Sequence, residues 1–166
     1  MKLEGNKVYL RPMTKEDTDN IVNWRNKDFV RNNFIDRALF THEGHLNWIK
    51  TMVDTKKVVQ FIIVKKDDDK DIGSVYLRDI DYDAKTAEYG IFIGDEEALN
   101  KGFGSESAKL ILKCAKEELK LNKVFLRLYK DNEKALNSYK NAGFKIIENK
   151  KDIKNDKSVI FMEIDL

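Results

Sequence analysis

Gly102, Gly104 and Ser105 stand together in the run Lys101-Gly-Phe-Gly-Ser105. Glycines at alternate positions let a backbone approach a ligand closely. If a helix begins beside them, the free amides of its first turn face the ligand with the positive end of the helix dipole. The guest that suits such a loop is a phosphate or a pyrophosphate. Two common versions are excluded. A dinucleotide fingerprint needs a third glycine where Ser107 stands, and a nucleoside-triphosphate loop needs Gly-Lys-Ser/Thr, which does not occur. A lone Gly-x-Gly is more often an ordinary turn, so its meaning depends on the elements around it.

Those elements read clearly. Residues 86–94 form a strand that enters the loop, and a helix leaves it from Ser105. In that helix Ala108, Ile111, Leu112, Ala115 and Leu119 make one apolar stripe, with Cys114 on or near it as a core residue. Residues 124–129 are a buried-type strand crossing back parallel to the first. Asp131 or Asn132 caps a short helix that runs to Ala142, and Gly143 suits its C-terminal turn.

Upstream, a strand at 8–11 is closed by Pro12. Thr14 and Asp17 form an approximate capping box before a helix carrying Ile21, Val22 and Trp24. Residues 26–39 are polar and irregular, a loop or a broken helix. Thr41 caps a helix with Leu46, Ile49 and Val53 at helical spacing. Strands at 58–64 and 72–80 follow, with a tip at 65–71 and a turn at 81–85. Residues 144–148 and 159–164 make a final hairpin whose charged tip, KKDIKNDK, is expected to be mobile. The expected class is α/β (mixed α+β). A twisted, mostly antiparallel sheet of about seven strands contains one parallel pair, and four helices cover both faces.

At 166 residues the chain is read as a single domain, residues 1–166. Thirty-one basic and 29 acidic side chains are interspersed and leave a net charge of +2. No broad basic face suggests nucleic acid. The single cysteine forms no internal disulfide, and no apolar run reaches membrane-spanning length. The expectation is a soluble cytoplasmic protein with no nucleic-acid or membrane partner, a monomer or a homodimer. His42, Glu43 and His45 lack metal-site spacing and a third ligand. They read as a solvated first helical turn, and no metal is expected. The Lys/Asp runs at 65–71 and 150–157 read as solvated hairpin tips.

The run Asn132-Glu-Lys-Ala-Leu-Asn-Ser-Tyr139-Lys-Asn-Ala-Gly143-Phe144 resembles a signature of the GNAT superfamily of N-acetyltransferases, in which it also follows a Gly-x-Gly loop and a parallel strand. One position departs: Leu99 stands where the superfamily often has Gln or Arg. In the N-terminal half, Trp24-Arg25-Asn26 with Glu43-Gly-His45-Leu46-Asn47-Trp48 resembles the branch of ribosomal-protein and polyamine acetyltransferases. It is more similar still to amino-sugar acetyltransferases of the pseudaminic acid pathway.

The resemblance implies acetyl-CoA as donor and two parallel strands that splay apart. The pantetheine arm pairs with the backbone of Ile91, Phe92 and Ile93. The pyrophosphate falls on the amides of Lys101, Gly102, Phe103, Gly104 and Ser105, and Asn132 lies near the cofactor arm. Acetyl transfer also needs a polarised carbonyl, a neutral amine and a stabilised thiolate. A strand amide near Phe92 is assigned to the carbonyl, Glu88 to the base and Tyr139 to the thiolate. Trp24, Arg25, Trp48, Tyr76 and Tyr89 line the acceptor site. Each has a plainer reading: core packing for Tyr139 and the tryptophans, solvated charge for Glu88 and Arg25.

The function implied is acetyl transfer to a small primary amine by direct attack, with a nucleotide-linked amino sugar as acceptor. A protein N-terminus or a polyamine is the alternative within the class. A non-catalytic acyl-CoA-binding regulatory module is the alternative outside it.

Overall fold

The structure is a computed structural model that describes residues 1–166. Its strands are Leu3–Glu4 (β1), Val8–Pro12 (β2), Val59–Lys65 (β3), Lys70–Asp81 (β4), Thr86–Ile93 (β5), Lys123–Tyr129 (β6), Lys145–Lys154 (β7) and Lys157–Asp165 (β8). They form one sheet in the order β1-β2-β3-β4-β5-β6-β8-β7. The β5–β6 pair is parallel and its neighbours β4–β5 and β6–β8 are antiparallel. The helices are Thr18–Asn26 (α1), Asp28–Arg31 (α2), His42–Trp48 (α3), Phe103–Glu117 (α4) and Glu133–Asn141 (α5). A π-turn over Ile49–Val53 prolongs α3.

The two-residue period of a strand sends alternate side chains to opposite faces. On β5, Ala87 and Tyr89 join Ala108, Ile111, Leu112 and Ala115 of α4 in the larger core. Phe92 points the other way. It joins Ile21 and Trp24 of α1, Val30 of α2 and Ile62 and Val64 of β3 in a second core. Helices α1 to α3 therefore cover one face, and α4 and α5 the other.

The parallel pair is brief. Only Thr86–Lys123, Ala87–Val124 and Glu88–Phe125 are in register. Beyond them β5 stays with β4 as far as Ile93, and β6 stays with β8 as far as Tyr129. Each strand follows its own antiparallel neighbour, and a gap opens between them. Its β5 edge can be read from the ladder. Gly94 N–H donates to Ile72 O at 2.8 Å, on the β4 side. In an antiparallel ladder alternate residues face the same neighbour. Gly90 and Phe92 thus turn their amides to β4, and Ile91 and Ile93 turn theirs to the gap.

Three details depart from the sequence reading. The sheet has an eighth strand, the two-residue β1, too short to carry a periodic signal. Helix α4 begins at Phe103, so Gly104 lies inside its first turn. The C-terminal hairpin is longer than the sequence suggested. β7 and β8 pair through Lys154–Lys157 and turn at Asn155 and Asp156, with φ of 51° and 60°. A two-residue hairpin turn of type I′ needs left-handed backbone at both positions, and Asn and Asp tolerate it. Residues 26–39 are the broken helix that the sequence allowed: they contain the four-residue α2, which sends Val30 into the core.

Candidate active site

A cleft of about 870 Å³ runs through the gap and opens on both faces of the sheet. Its volume lies in the range of small-molecule sites. Arg25, Trp48, Tyr76, Glu88, Tyr89 and Tyr139 all line it. So do Ile91, Phe92 and Ile93, the segment Gly102–Ser105, and Asn132. The structure thus gathers most of the candidates. Two stay out. Trp24 packs edge-on to Phe92 at 6.3 Å, and a side chain on Gly94 would run into its ring, so it is a core residue. Lys101 is exposed and lends only its carbonyl, to Lys7 Nζ at 3.1 Å.

On the α4 face the cleft meets the start of that helix. Gly102 is the N-cap, with a left-handed φ of 84°, and no side chain caps the helix. The first helical bond in this turn is Glu106 N–H to Gly102 O at 3.1 Å. The amides of Gly102, Phe103, Gly104 and Ser105 precede it and have no carbonyl to bind. The acid of the first turn points away, because Glu106 Oε2 accepts from Lys7 N and Val8 N at 2.8 Å each. Gly104 has room. A Cβ there would meet only Ile91 Cδ1, at 3.8 Å. Nothing in the chain requires a glycine at 104, whereas a ligand on the amides would.

Helix α5 lies beside this turn. Asn132 caps it, accepting from Ala135 N at 3.3 Å. The Tyr139 ring stands edge-on to Tyr89 and Phe144, at 5.9 Å from each. Burial, then the nearby Tyr76, hold the Tyr139 phenol well above its ordinary pKa. It therefore stays protonated and can donate. Tyr89, expected among acceptor residues, faces α4 and α5 instead. It is 4% exposed and its hydroxyl has no partner. Strand parity decides this, because Tyr89 shares its face with Ala87 and Ile91.

The opposite face carries charge. Arg25 is 7% exposed. Its guanidinium sits 3.5 Å over the Phe34 ring and 4.3 Å from the Phe40 ring, and its Nε has no hydrogen-bond partner. Burial lowers its pKa. Glu88 is held by Arg127, with Nε on Oε1 and Nη2 on Oε2, both at 3.1 Å. Trp48 Nε1 donates to Gln60 Oε1 at 3.3 Å, and Gln60 Nε2 donates to Ser74 Oγ at 2.9 Å. The ladder also narrows one role. Phe92 turns its amide to β4, so Ile91 or Ile93 is the strand donor available to a carbonyl in the gap.

Two site residues escaped the sequence reading. Arg127 lies between Leu126 and Leu128, so strand alternation puts it on the face opposite them, and that signal was available. His45 read as solvated, yet it is 4% exposed and lines the cleft. Its Nδ1 lies 2.9 Å from Thr18 Oγ1, its Nε2 has no partner, and burial lowers its pKa. His42 is apart from it, exposed and 3.0 Å from Asp19.

A family model described as an acetyltransferase (GNAT) domain matches residues 7–145. The chain belongs to the GNAT acetyltransferase family. Among curated relatives, this GNAT chain is 27% identical to acetyltransferase PseH of Campylobacter jejuni over 140 residues, 84% of each protein. It is 29% identical over 150 residues to the probable N-acetyltransferase YjcK of Bacillus subtilis, covering 86% of this chain and 82% of that one. Among solved structures it superposes on spermidine N-acetyltransferase from Vibrio cholerae, in complex with CoA and spermine. The TM-score is 0.88 at 22% identity, over 97% of this chain and 96% of that one. At that identity the likeness shows the GNAT fold. The protein is an acetyl-CoA-dependent N-acetyltransferase. No helix is long and apolar enough to cross a membrane.

Proposed function

We propose that this GNAT enzyme acetylates a primary amine carried on an anionic molecule, a nucleotide-linked amino sugar, by direct attack on acetyl-CoA. The observation that carries the acceptor class is Arg25. A buried guanidinium with no carboxylate hydrogen-bonded to it is costly unless something else compensates it. Stacking on Phe34 and Phe40 supplies part of that compensation. A substrate phosphate would supply the rest, through charge-assisted bonds to the free guanidinium edge. The lining supports the same choice. Arg25, Arg78, Arg127 and Lys134 face only Asp36 and Glu88, and Arg127 already holds Glu88. A polyamine would meet a surplus of its own charge.

The donor fits the other half. The amides of Gly102 to Ser105 take the pyrophosphate, and the Ile91 and Ile93 edge takes the pantetheine arm as an added strand. Asn132 and Tyr139 flank that arm from α5. The phenol of Tyr139 donates a hydrogen bond to the sulfur as the C–S bond breaks, which lowers the cost of the thiolate. The proton that the attacking nitrogen gives up ends on that sulfur. Glu88 acts on the amine only through water, because both of its oxygens are engaged by Arg127.

Release of CoA across an amine panel tests the reading. A UDP-linked amino sugar is expected to be acetylated and spermidine to be a poor acceptor. Arg25→Ala is expected to raise the acceptor KM by about one to two decades, the loss of a charge-assisted bond of about 1.5–3 kcal/mol. Its acetyl-CoA affinity should match wild type by calorimetry. Wild-type kinetics for Arg25→Ala on the sugar, or a preference for spermidine or a peptide N-terminus, would overturn the acceptor assignment.

A further inference from the structure

The hydroxyl of Tyr76 stands over the point where β5 and β6 part. Tyr76 lies opposite Gly90 in the β4–β5 ladder, and Gly90 is two residues past Glu88, the last to pair with β6. A Cβ built on Gly90 would fall against Cζ, Cε2 and Oη of Tyr76. The ring therefore crosses β5 in the space that a side chain at 90 would fill, with its hydroxyl above Gly90 itself. The backbone does not ask for this glycine, since the left-handed glycines are Gly102 and Gly143. The Tyr76 ring does.

The surroundings make this hydroxyl more than packing. Tyr76 lines the cleft. Arg25, Arg78, Arg127 and Glu88 are all near enough to act on its ionisation, and burial, the largest influence, keeps it a phenol. It reaches the gap from the face that carries Arg25. Tyr139 reaches the gap from the face of α4 and α5 and feels the charge of Tyr76. Two phenols thus approach one opening from opposite sides.

We infer that Tyr76 Oη accepts a hydrogen bond from the attacking amine and aims its lone pair at the thioester carbonyl, and that Gly90 admits the ring to that position. The inference rests on the N-acetyltransferase reading of the cleft but not on the identity of the acceptor. One amine N–H donates to Oη, and the nitrogen lone pair faces the carbonyl carbon. The N–C bond forms, the C–S bond breaks, and its electron pair leaves on sulfur. The nitrogen loses one proton and the sulfur gains one. Tyr76 keeps its own proton throughout, so no further reactant is needed. Tyr76 handles the nucleophile and Tyr139 the leaving group, which separates them on the two sides of the carbonyl.

The test uses hydroxylamine as nucleophile, because it is small, uncharged at neutral pH and needs no grip from the rest of the acceptor pocket. Wild-type protein should accelerate CoA release from acetyl-CoA with hydroxylamine. Tyr76→Phe should lower kcat by about 10- to 100-fold, as expected for an orienting bond to the reacting atom, with acetyl-CoA affinity unchanged by calorimetry. Gly90→Ala should show the same loss, and the double variant should be no worse than the weaker single one. If Gly90→Ala fails to fold, Tyr76→Phe carries the test alone. A Tyr76→Phe rate within about threefold of wild type, additive losses in the double variant, or a wild type that does not accelerate the hydroxylamine reaction would each overturn the assignment. Turnover of hydroxylamine but not of a UDP-amino sugar, with the Tyr76 effect intact, would remove the acceptor reading and leave this one standing.

Discussion

Tyr139→Phe is expected to lower kcat by roughly 10²–10⁴, the range for a positioned proton donor or acceptor. Acetyl-CoA affinity and melting temperature should stay near wild type. The ring is what packs, edge-on to Tyr89 and Phe144, and phenylalanine keeps it. Only the hydroxyl is lost. A pH profile sharpens the test. An ordinary phenol titrates near about 10. Burial and the neighbouring Tyr76 hold Tyr139 above that value, so its donor form persists through the alkaline range. The wild-type kcat should therefore show no loss of activity from phenol ionisation near pH ~10. If Tyr139 served only the core, the pattern would invert, with kcat near normal and any change in stability. A Tyr139→Phe enzyme within about threefold of wild type would hand proton delivery to water.

What the sequence displayed depended on the range of the interaction behind it. The Gly102/Gly104 spacing and the helix to Asn141 were legible because they are local signals of composition and period. Tyr139 was legible only through the whole run from Asn132 to Phe144. Tyr89 was misplaced for a different reason. Alternation separates Tyr89 from Glu88 and Gly90, but it does not say which face meets α1 and which meets α4. That choice is made by the packing of Ile111 and Ala115 on one side and of Trp24 on the other. Arg25 was singled out, yet its cage was not. Phe34 and Phe40 come from an irregular stretch and meet it only when α1, α2 and the following loop pack together. His45 resembled a solvated residue because the Thr18 that holds it is 27 residues away. Gly90 reads as an unremarked strand position in the sequence, because the ring that occupies its place belongs to β4. The C-terminal tip misled through composition. Lys and Asp suit a solvated edge strand as well as a loop, and the Asn155–Asp156 turn fixes the register.

Gly104→Val should separate binding from folding with opposite signs. In the first turn of α4 a Cβ at 104 meets only Ile91 Cδ1, at the ordinary contact distance of 3.8 Å. Glycine inside a helix costs about 0.5–1 kcal/mol relative to alanine, and a β-branched residue recovers part of that. The melting temperature of Gly104→Val should therefore hold or rise. Binding should move the other way. The new methyl groups would cover the amides of Gly104 and Ser105 and keep a phosphate from approaching. Several charge-assisted bonds to those amides would be lost together, each worth about 1.5–3 kcal/mol. Acetyl-CoA affinity should fall by at least about 100-fold, as two such bonds would require. Gly102→Ala is the contrast. Its φ of 84° disfavours any side chain, so that variant should lose stability as well as affinity. Calorimetry and thermal melts on the two variants read both signs. If the amides bind pyrophosphate, Gly104→Val gives a folded protein, at least as stable as wild type, that no longer holds the donor. If that folded variant bound acetyl-CoA with unchanged affinity, the phosphates would have to lie elsewhere, and the Gly102–Ser105 loop would be an ordinary turn.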